Sequence, residues 1–412
     1  MRGKHKTLIF EKPLGYWITA MVLILLGLVL GRYVDEHDMW LESRYWIYRM
    51  IQKLNPHKSM VQATFVVKID DNDFWKGDFD RRSPIRRDVL AKLIEHLADA
   101  QAKVIAVDFD LRSPDPDGNP RETPAYQNED NALRDAISRA CAHHHAVVLP
   151  ATIDFAKDGS YVRQSDIYAD WQLPTGFFTT GYIALPDDAR IVPLELSLSD
   201  SSPLDSFSLA AVKAYKPDPE LIEKINGRKI FPFGGYLPPE KFVGSNASAT
   251  ASEILKWDTT SLQDRVGGKI VLIGSTWHRL GWNIDPLNDS HLTPIGNISG
   301  VFVHANYIEA ILGGNNYPRL PEPVGYLIEA TVLLMLAVLF ATEMNTLKKA
   351  IIVLLALLSF MAIGIFLLQN LGIYFDFFIP VVFLLLHVGA DEVIKWRQAA
   401  IALEHRKVSH AK

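Results

Sequence analysis

Three carboxylates stand where buried strands should end: Asp70 closes ATFVVKID, and Asp108 and Asp110 close AKVIAVDFD. In an open parallel sheet, ligands bind outside the carboxyl ends of the strands. Gly274, Ser275 and Thr276 follow a third buried strand, KIVLIGS, and their small side chains let a ligand approach backbone amides. Arg82, Arg86 and Arg87 lie near the start of a helix, where free amides favour anions. Asp285 sits in GWNIDPLN, a segment that reads as a rim over the sheet or a long surface loop. The candidate ligand-binding set is therefore Asp70, Arg86, Asp108, Asp110, Ser275 and Asp285. The competing reading has the aspartates capping turns and helices while the arginines pair with them.

VDFD also fits a second chemistry. Asp-x-Asp at a strand end resembles the nucleophile and acid/base pair of haloacid-dehalogenase-like phosphotransferases. Those enzymes want Thr or Val two residues after the second Asp. Here Leu111 and Arg112 follow, then SPDPDGNP, with no evident lysine motif. The run His143, His144 and His145 invites a metal, but neighbouring residues point in different directions and rarely converge on one ion. His304 shares a helical face with Ile308 and Ile311 and reads as a hydrogen-bonded core histidine. The expectation is a protein that is not an enzyme, with no catalytic residue, metal or cofactor assigned.

The elements that must position these residues alternate. Strand 63–70, helix 83–100, strand 102–110, helix 128–142 and strand 145–153 make a βαβαβ pattern, which implies a mainly parallel sheet with helices on both faces. Ser83 and Pro84 read as the cap and first residue of the first helix. KIVLIGS (269–275) and GVFVHANYIEAILGG (300–314) add a later strand and helix. Residues 154–268 are richer in Pro, Gly, Ser and aromatics and read as strands and loops without definite positions. The fold class is α/β. Cys141 is the one cysteine, so no intramolecular disulfide holds the domain. A net charge of −5 offers no basic footprint for nucleic acid.

Apolar residues make up 49% of the chain and gather at its two ends. Residues 14–31 read as an uncleaved anchor behind Arg2, Lys4, Lys6 and Lys12, and three further runs lie at 324–341, 350–368 and 373–390. Lys348 and Lys349 flank one turn, and Lys395, Arg397, Arg406 and Lys407 follow the last run. The positive-inside rule then makes 1–13 cytoplasmic, 32–323 extracytoplasmic and the helical tail 391–412 cytoplasmic. Glu329 falls near the outer end of the second span. Pro380 falls within the fourth.

The order of strings resembles the CHASE2 domain, a bacterial extracytoplasmic sensory module. SPIRRDVLAKLIEHLADAQAKVIAVDFDL, GGKIVLIGST and SGVFVHANYIEAILGGN carry the likeness, with one helix before the domain and three after. The resemblance implies a receptor in the bacterial inner membrane. Members usually carry a cytoplasmic kinase or cyclase after the third helix, whereas about 22 residues follow residue 390 here. The expected partners are therefore the lipid bilayer and a separate signalling protein, in a homo- or hetero-oligomer. An alternative is a structural envelope subunit docking partners through Trp171, Phe177, Phe178 and Tyr182. A weaker alternative is an extracytoplasmic phosphohydrolase using Asp108 and Asp110.

Overall fold

The computed structural model describes residues 41–54, 61–111, most of 124–313, scattered positions between 321 and 335, and 346–371, with a few isolated positions besides. The chain divides into two compact units, His57–Asn316 and the flanking Met1–Pro56 with Tyr317–Lys412. Asp285, Glu329, Pro380, the tail 391–412 and the expected spans 14–31 (bar two positions), 373–390 (bar one) and most of 324–341 lie outside the described residues.

The unit His57–Asn316 is built on six strands: β1 (Thr64–Ile69), β2 (Val104–Asp108), β3 (Ala146–Ala151), β4 (Phe178–Tyr182), β5 (Ser248–Thr250) and β6 (Ile270–Ser275). Their order is β5-β1-β6-β2-β3-β4, and every neighbouring pair is parallel. β1, β2, β3 and β6 are apolar on both faces because both faces are covered. Side chains alternate across the sheet. Phe65, Val67, Ile105, Val107, Val271 and Ile273 join one core with α3 (Arg87–Asp99), α4 (Pro124–Ala142), α6 (Ala251–Lys256) and α7 (Thr259–Val266). The opposite face is covered by α5 (Phe207–Tyr215) and α8 (Gly300–Gly313). The short helix α2 (Asp71–Trp75) follows β1 directly.

The βαβαβ core, the strand 270–275 and the helix from residue 300 stand where the sequence places them. Three details differ. The first long helix starts at Arg87, and Arg86 is an extended N-cap without a side-chain bond, so Pro84 is not its first residue. Residues 154–268 contribute two sheet strands, β4 and β5, and the helices α5, α6 and α7 besides hairpins. These helices were hidden because each has nine residues or fewer, too short for a clear period. Their starts are nonetheless encoded: Ser206, Thr250 and Asp258 each accept a backbone N–H as N-caps. The aromatic quartet does not form an exposed patch. Tyr182 is buried, and Trp171, Phe177 and Phe178 pack against the core.

α8 is buried from Gly300 through Ile311. A helix enclosed on every side must satisfy its polar side chains internally. Asn306 exchanges two hydrogen bonds with the Leu237 backbone, at 2.7 and 3.1 Å. The Tyr307 hydroxyl donates to the Ala189 carbonyl. Glu309 Oε1 accepts from the N–H groups of Gln62, Ala63 and Thr64 and from the Thr64 hydroxyl, at 2.7–3.1 Å. The last turn of α8 is thereby fastened to the first residues of β1.

In the flanking unit, α1 (Leu41–Leu54) and α9 (Thr346–Leu371) are described. Among the described residues, no helix is long and apolar enough to cross a membrane. The four expected spans therefore remain proposals, and only 350–368 falls within a described helix.

Replacing Glu309 by Ala strands at least one buried amide and the Thr64 hydroxyl, at about 1–3 kcal/mol for each unsatisfied group. Glu309→Ala is expected to lower unfolding free energy by about 2–6 kcal/mol, and Glu309→Gln, which keeps an acceptor, by less. Denaturant unfolding checks this. Equal stability of wild type and Glu309→Ala would show that the clamp is unimportant.

Candidate ligand-binding cleft

β1, β6 and β2 end side by side, with Ser275 opposite Ile69 and Gly274 opposite Asp108. Beyond these ends opens a cleft of about 1180 Å³, whose lining includes Asp108, Asp110, Ser275, Trp277, Asp289 and His304. It is slightly larger than common small-molecule pockets, which run to about 1,000 Å³.

The loops after β1 and β6 form one wall. Phe74 and Trp277 stack with ring centres 4.0 Å apart, and Phe109 lies beyond Trp277 at 6.0 Å. Asp71 holds His278 at both backbone N–H (2.8 Å) and Nδ1 (2.7 Å). The Trp75 indole donates to the His278 carbonyl at 3.0 Å. These bonds join two loops separated by about two hundred residues in the chain.

Asp108 and His304 form the centre. His304 Nε2 lies 3.8 Å from Asp108 Oδ1, and their side chains are only 4% and 7% exposed. His304 Nδ1 pairs with the Ser208 hydroxyl at 3.1 Å. Among the described residues, Asp108 Oδ2 has no hydrogen-bond partner. Burial, aided by the nearby Asp289 charge, pushes the Asp108 carboxyl well above the usual carboxylate range. Burial pushes His304 down to about 4. Burial thus favours the neutral form of both groups, raising one and lowering the other.

Asp289 is held differently. Burial alone would raise it, but His291 outweighs this with a 2.7 Å bond to Oδ1, and Asp289 is lowered. Its Oδ2 accepts from Gly300 N–H, the first amide of α8, at 3.1 Å. The helix start also favours a negative charge there. Two glycines allow these approaches. A Cβ at Gly300 would stand 2.1 Å from Asp289 Oδ2, and one at Gly274 would stand 2.5 Å from Val301 Cβ. α8 thus seats its first turn on the end of β6 while Asp289 caps it.

Of the residues singled out from sequence, Asp108, Asp110 and Ser275 line the cleft together. Asp110 accepts from the Thr152 hydroxyl at 3.3 Å. Asp70 does not line it: its carboxylate caps α2, accepting from Asn72 and Asp73 N–H. Arg86 does not either, because Asp88 and the Asp78 carbonyl hold its guanidinium. For these two the structure shows a cap and an ion pair. Arg82 lines the cleft with its guanidinium bonded to Glu129, and Arg87 is buried against Asp130. In the histidine run, His145 bonds the Ala102 carbonyl and His144 lies against Phe177. His304 is a hydrogen-bonded core histidine, as its position implied, but it also faces the cleft. Asp289 and His291 carried no sequence signal, since nothing local tells that a hairpin will carry them to the start of α8.

A model of the CHASE2 domain matches residues 19–342. Neither a curated protein nor a solved structure matches the chain.

The two central groups tilt stability in opposite directions with pH. The folded state keeps the Asp108 proton above pH 3.8, so this group's contribution falls as pH rises toward its raised value. Asp108→Asn removes that cost. The variant is expected to be the more stable at pH 7, by a margin that grows by up to about 1.4 kcal/mol per pH unit above pH 4 and vanishes below it. The unfolded chain binds the His304 proton below 6.5 and the folded chain only near 4, so His304 costs stability on acidification through that window. His304→Gln should flatten the acid limb. Thermal unfolding across pH 4–8 measures both, and curves parallel to wild type would contradict the assignment.

Proposed function

The chain belongs to the CHASE2 domain family, and on that premise we propose a membrane-anchored sensory protein. Its extracytoplasmic domain reads a small ligand in the strand-end cleft and acts through a separate partner protein. The observation that carries this reading is Asp108: a buried carboxyl with one oxygen unpartnered, in the lining of an open cleft. A buried unmet polar group costs about 1–3 kcal/mol, which a ligand bonding there would relieve. A ligand that relieves it shifts the domain toward the conformation that binds. Asp289 gives such a shift a mechanical outlet, because it holds both the cleft wall and the first amide of α8. Along the sequence, α8 is the last helix of the domain before the apolar C-terminal runs.

Binding fits these residues better than phosphoryl transfer. A nucleophilic Asp must be ionised to attack phosphorus. Burial of Asp108 works against that by favouring its protonated form. Docking through the aromatic quartet is disfavoured because those side chains are packed into the domain.

Anchoring rests on the apolar runs of the sequence, of which 350–368 falls within α9. From Ala350 to Leu371 its sequence holds no charged residue. Ile351, Leu354, Leu355, Leu358, Ile363 and Phe366 are exposed, an arrangement suited to lipid. Lys348 and Lys349 at its start favour a cytoplasmic end there. On this reading the protein is a multi-pass component of the bacterial inner membrane with its main domain outside and both termini inside.

Two measurements test the proposal. The full chain should stay in the membrane pellet through alkaline carbonate extraction, and its release would contradict anchoring. Cross-linking in native membranes should recover one partner protein. Gly300→Ala, which forces Asp289 off the start of α8, should change that yield. Recovery of lipid and the chain alone, or a yield indifferent to Gly300→Ala, would contradict partner-mediated sensing.

A further inference from the structure

The strand order sorts charge across the cleft. Loops after β1 and β6 bring Arg81 and Arg279 to one side. The segments after β2 and β3 bring Asp108, Asp110 and Asp154 to the other. Because β1, β6, β2 and β3 lie in that order, the basic and acidic groups occupy opposite halves rather than alternating. The remaining charges are already engaged. Arg82 is held by Glu129, and Asp289 by His291 and the Gly300 amide. Arg279 and Asp154 are exposed in the cleft, and the Arg81 guanidinium is positioned by its Nε bond to the Trp75 carbonyl at 2.8 Å. Asp108, 7% exposed, contributes the unpartnered Oδ2.

A ligand carrying a single charge would satisfy one half and leave the other unpaired. Resting on the reading of the cleft as the sensory site, we propose that it binds a small organic zwitterion. The ligand's carboxylate lies toward Arg81 and Arg279, and its ammonium toward Asp154, with the Asp108 carboxyl beside it as a hydrogen-bond acceptor. Guanidinium recognises a carboxylate through paired N–H donors, and ammonium supplies donors to carboxyl oxygens. The volume of about 1180 Å³ admits a molecule longer than a single α-amino acid, so the distance between the two charges selects among zwitterions.

Calorimetric titration of the full chain in lipid nanodiscs tests this. The probes are glycine, γ-aminobutyrate, 6-aminohexanoate and dialanine, beside acetate, putrescine and inorganic phosphate. At least one zwitterion is expected to bind, with its N-acetyl and carboxamide forms about tenfold weaker or worse. Arg279→Gln and Asp154→Asn, both at exposed positions, should each weaken it by about tenfold. Blocked forms that bind as well as the parent, or variants without effect, would overturn the proposal. Binding of putrescine, acetate or phosphate without any zwitterion would overturn it and leave the cleft as a sensory site of another ligand class. No binding by any probe would overturn the zwitterion, and the sensory reading would then stand or fall on the Gly300→Ala cross-linking result.

Discussion

Complete burial of one helix constrains the rest of the domain. α8 presents no residue to solvent from Gly300 to Ile311, yet it carries His304, Asn306, Tyr307 and Glu309. Burial without partners would cost more than the helix gains, so each polar group recruits a different part of the chain. Ser208 meets His304, the Leu237 backbone meets Asn306, the Ala189 carbonyl meets Tyr307, and the start of β1 meets Glu309. Segments far apart in sequence are thereby registered against one element. Opposite His304, Asp108 Oδ2 stays unmet among the described residues, as do buried side-chain atoms of Arg87, Asp166 and Ser248. Of these four residues Asp108 is the one in the lining of the cleft, which marks that place for binding.

Much of the frame was legible in the residues because parallel strands buried on both faces read as unbroken apolar runs. KVIAVD and KIVLIGS could be little else, and Asp108, Asp110 and Ser275 at their ends line one cleft. What escaped was long-range. Asp70 sits at a strand end exactly as Asp108 does in sequence terms, but the helix after it starts at once, so its carboxylate is consumed in capping. After Asp108 no helix begins immediately, and its carboxyl is left facing a helix nearly two hundred residues later. Gly300 and Asp289 become meaningful only when the hairpin 290–299 folds back, since the requirement for glycine is the approach of a side chain from elsewhere. β4 (FTTGY) and β5 (SAT) were invisible because neither is an unbroken apolar run.

Family membership and geometry meet at the same end of the sheet. A CHASE2 domain is an extracytoplasmic sensory module, and the chain carries its match across residues 19–342. The site proposed for sensing is held by loops after β1, β6 and β2, and by the start of α8. The other end of α8 is tied by Glu309 to the segment through which the chain enters the domain. One rigid helix thus connects the cleft with both the entry and the exit of the chain. On the proposed reading, a change at Asp289 reaches residues 62–64 through α8.

Hydrogen exchange read by mass spectrometry in the full chain, comparing wild type with Asp289→Asn, tests that connection most directly. Loss of the carboxylate weakens the cap on Gly300 N–H. The account predicts faster exchange in the first turn of α8 and also at residues 62–64, which the far end of the helix holds through Glu309. Faster exchange confined to residues 289–303, with 62–64 protected as in wild type, would contradict it.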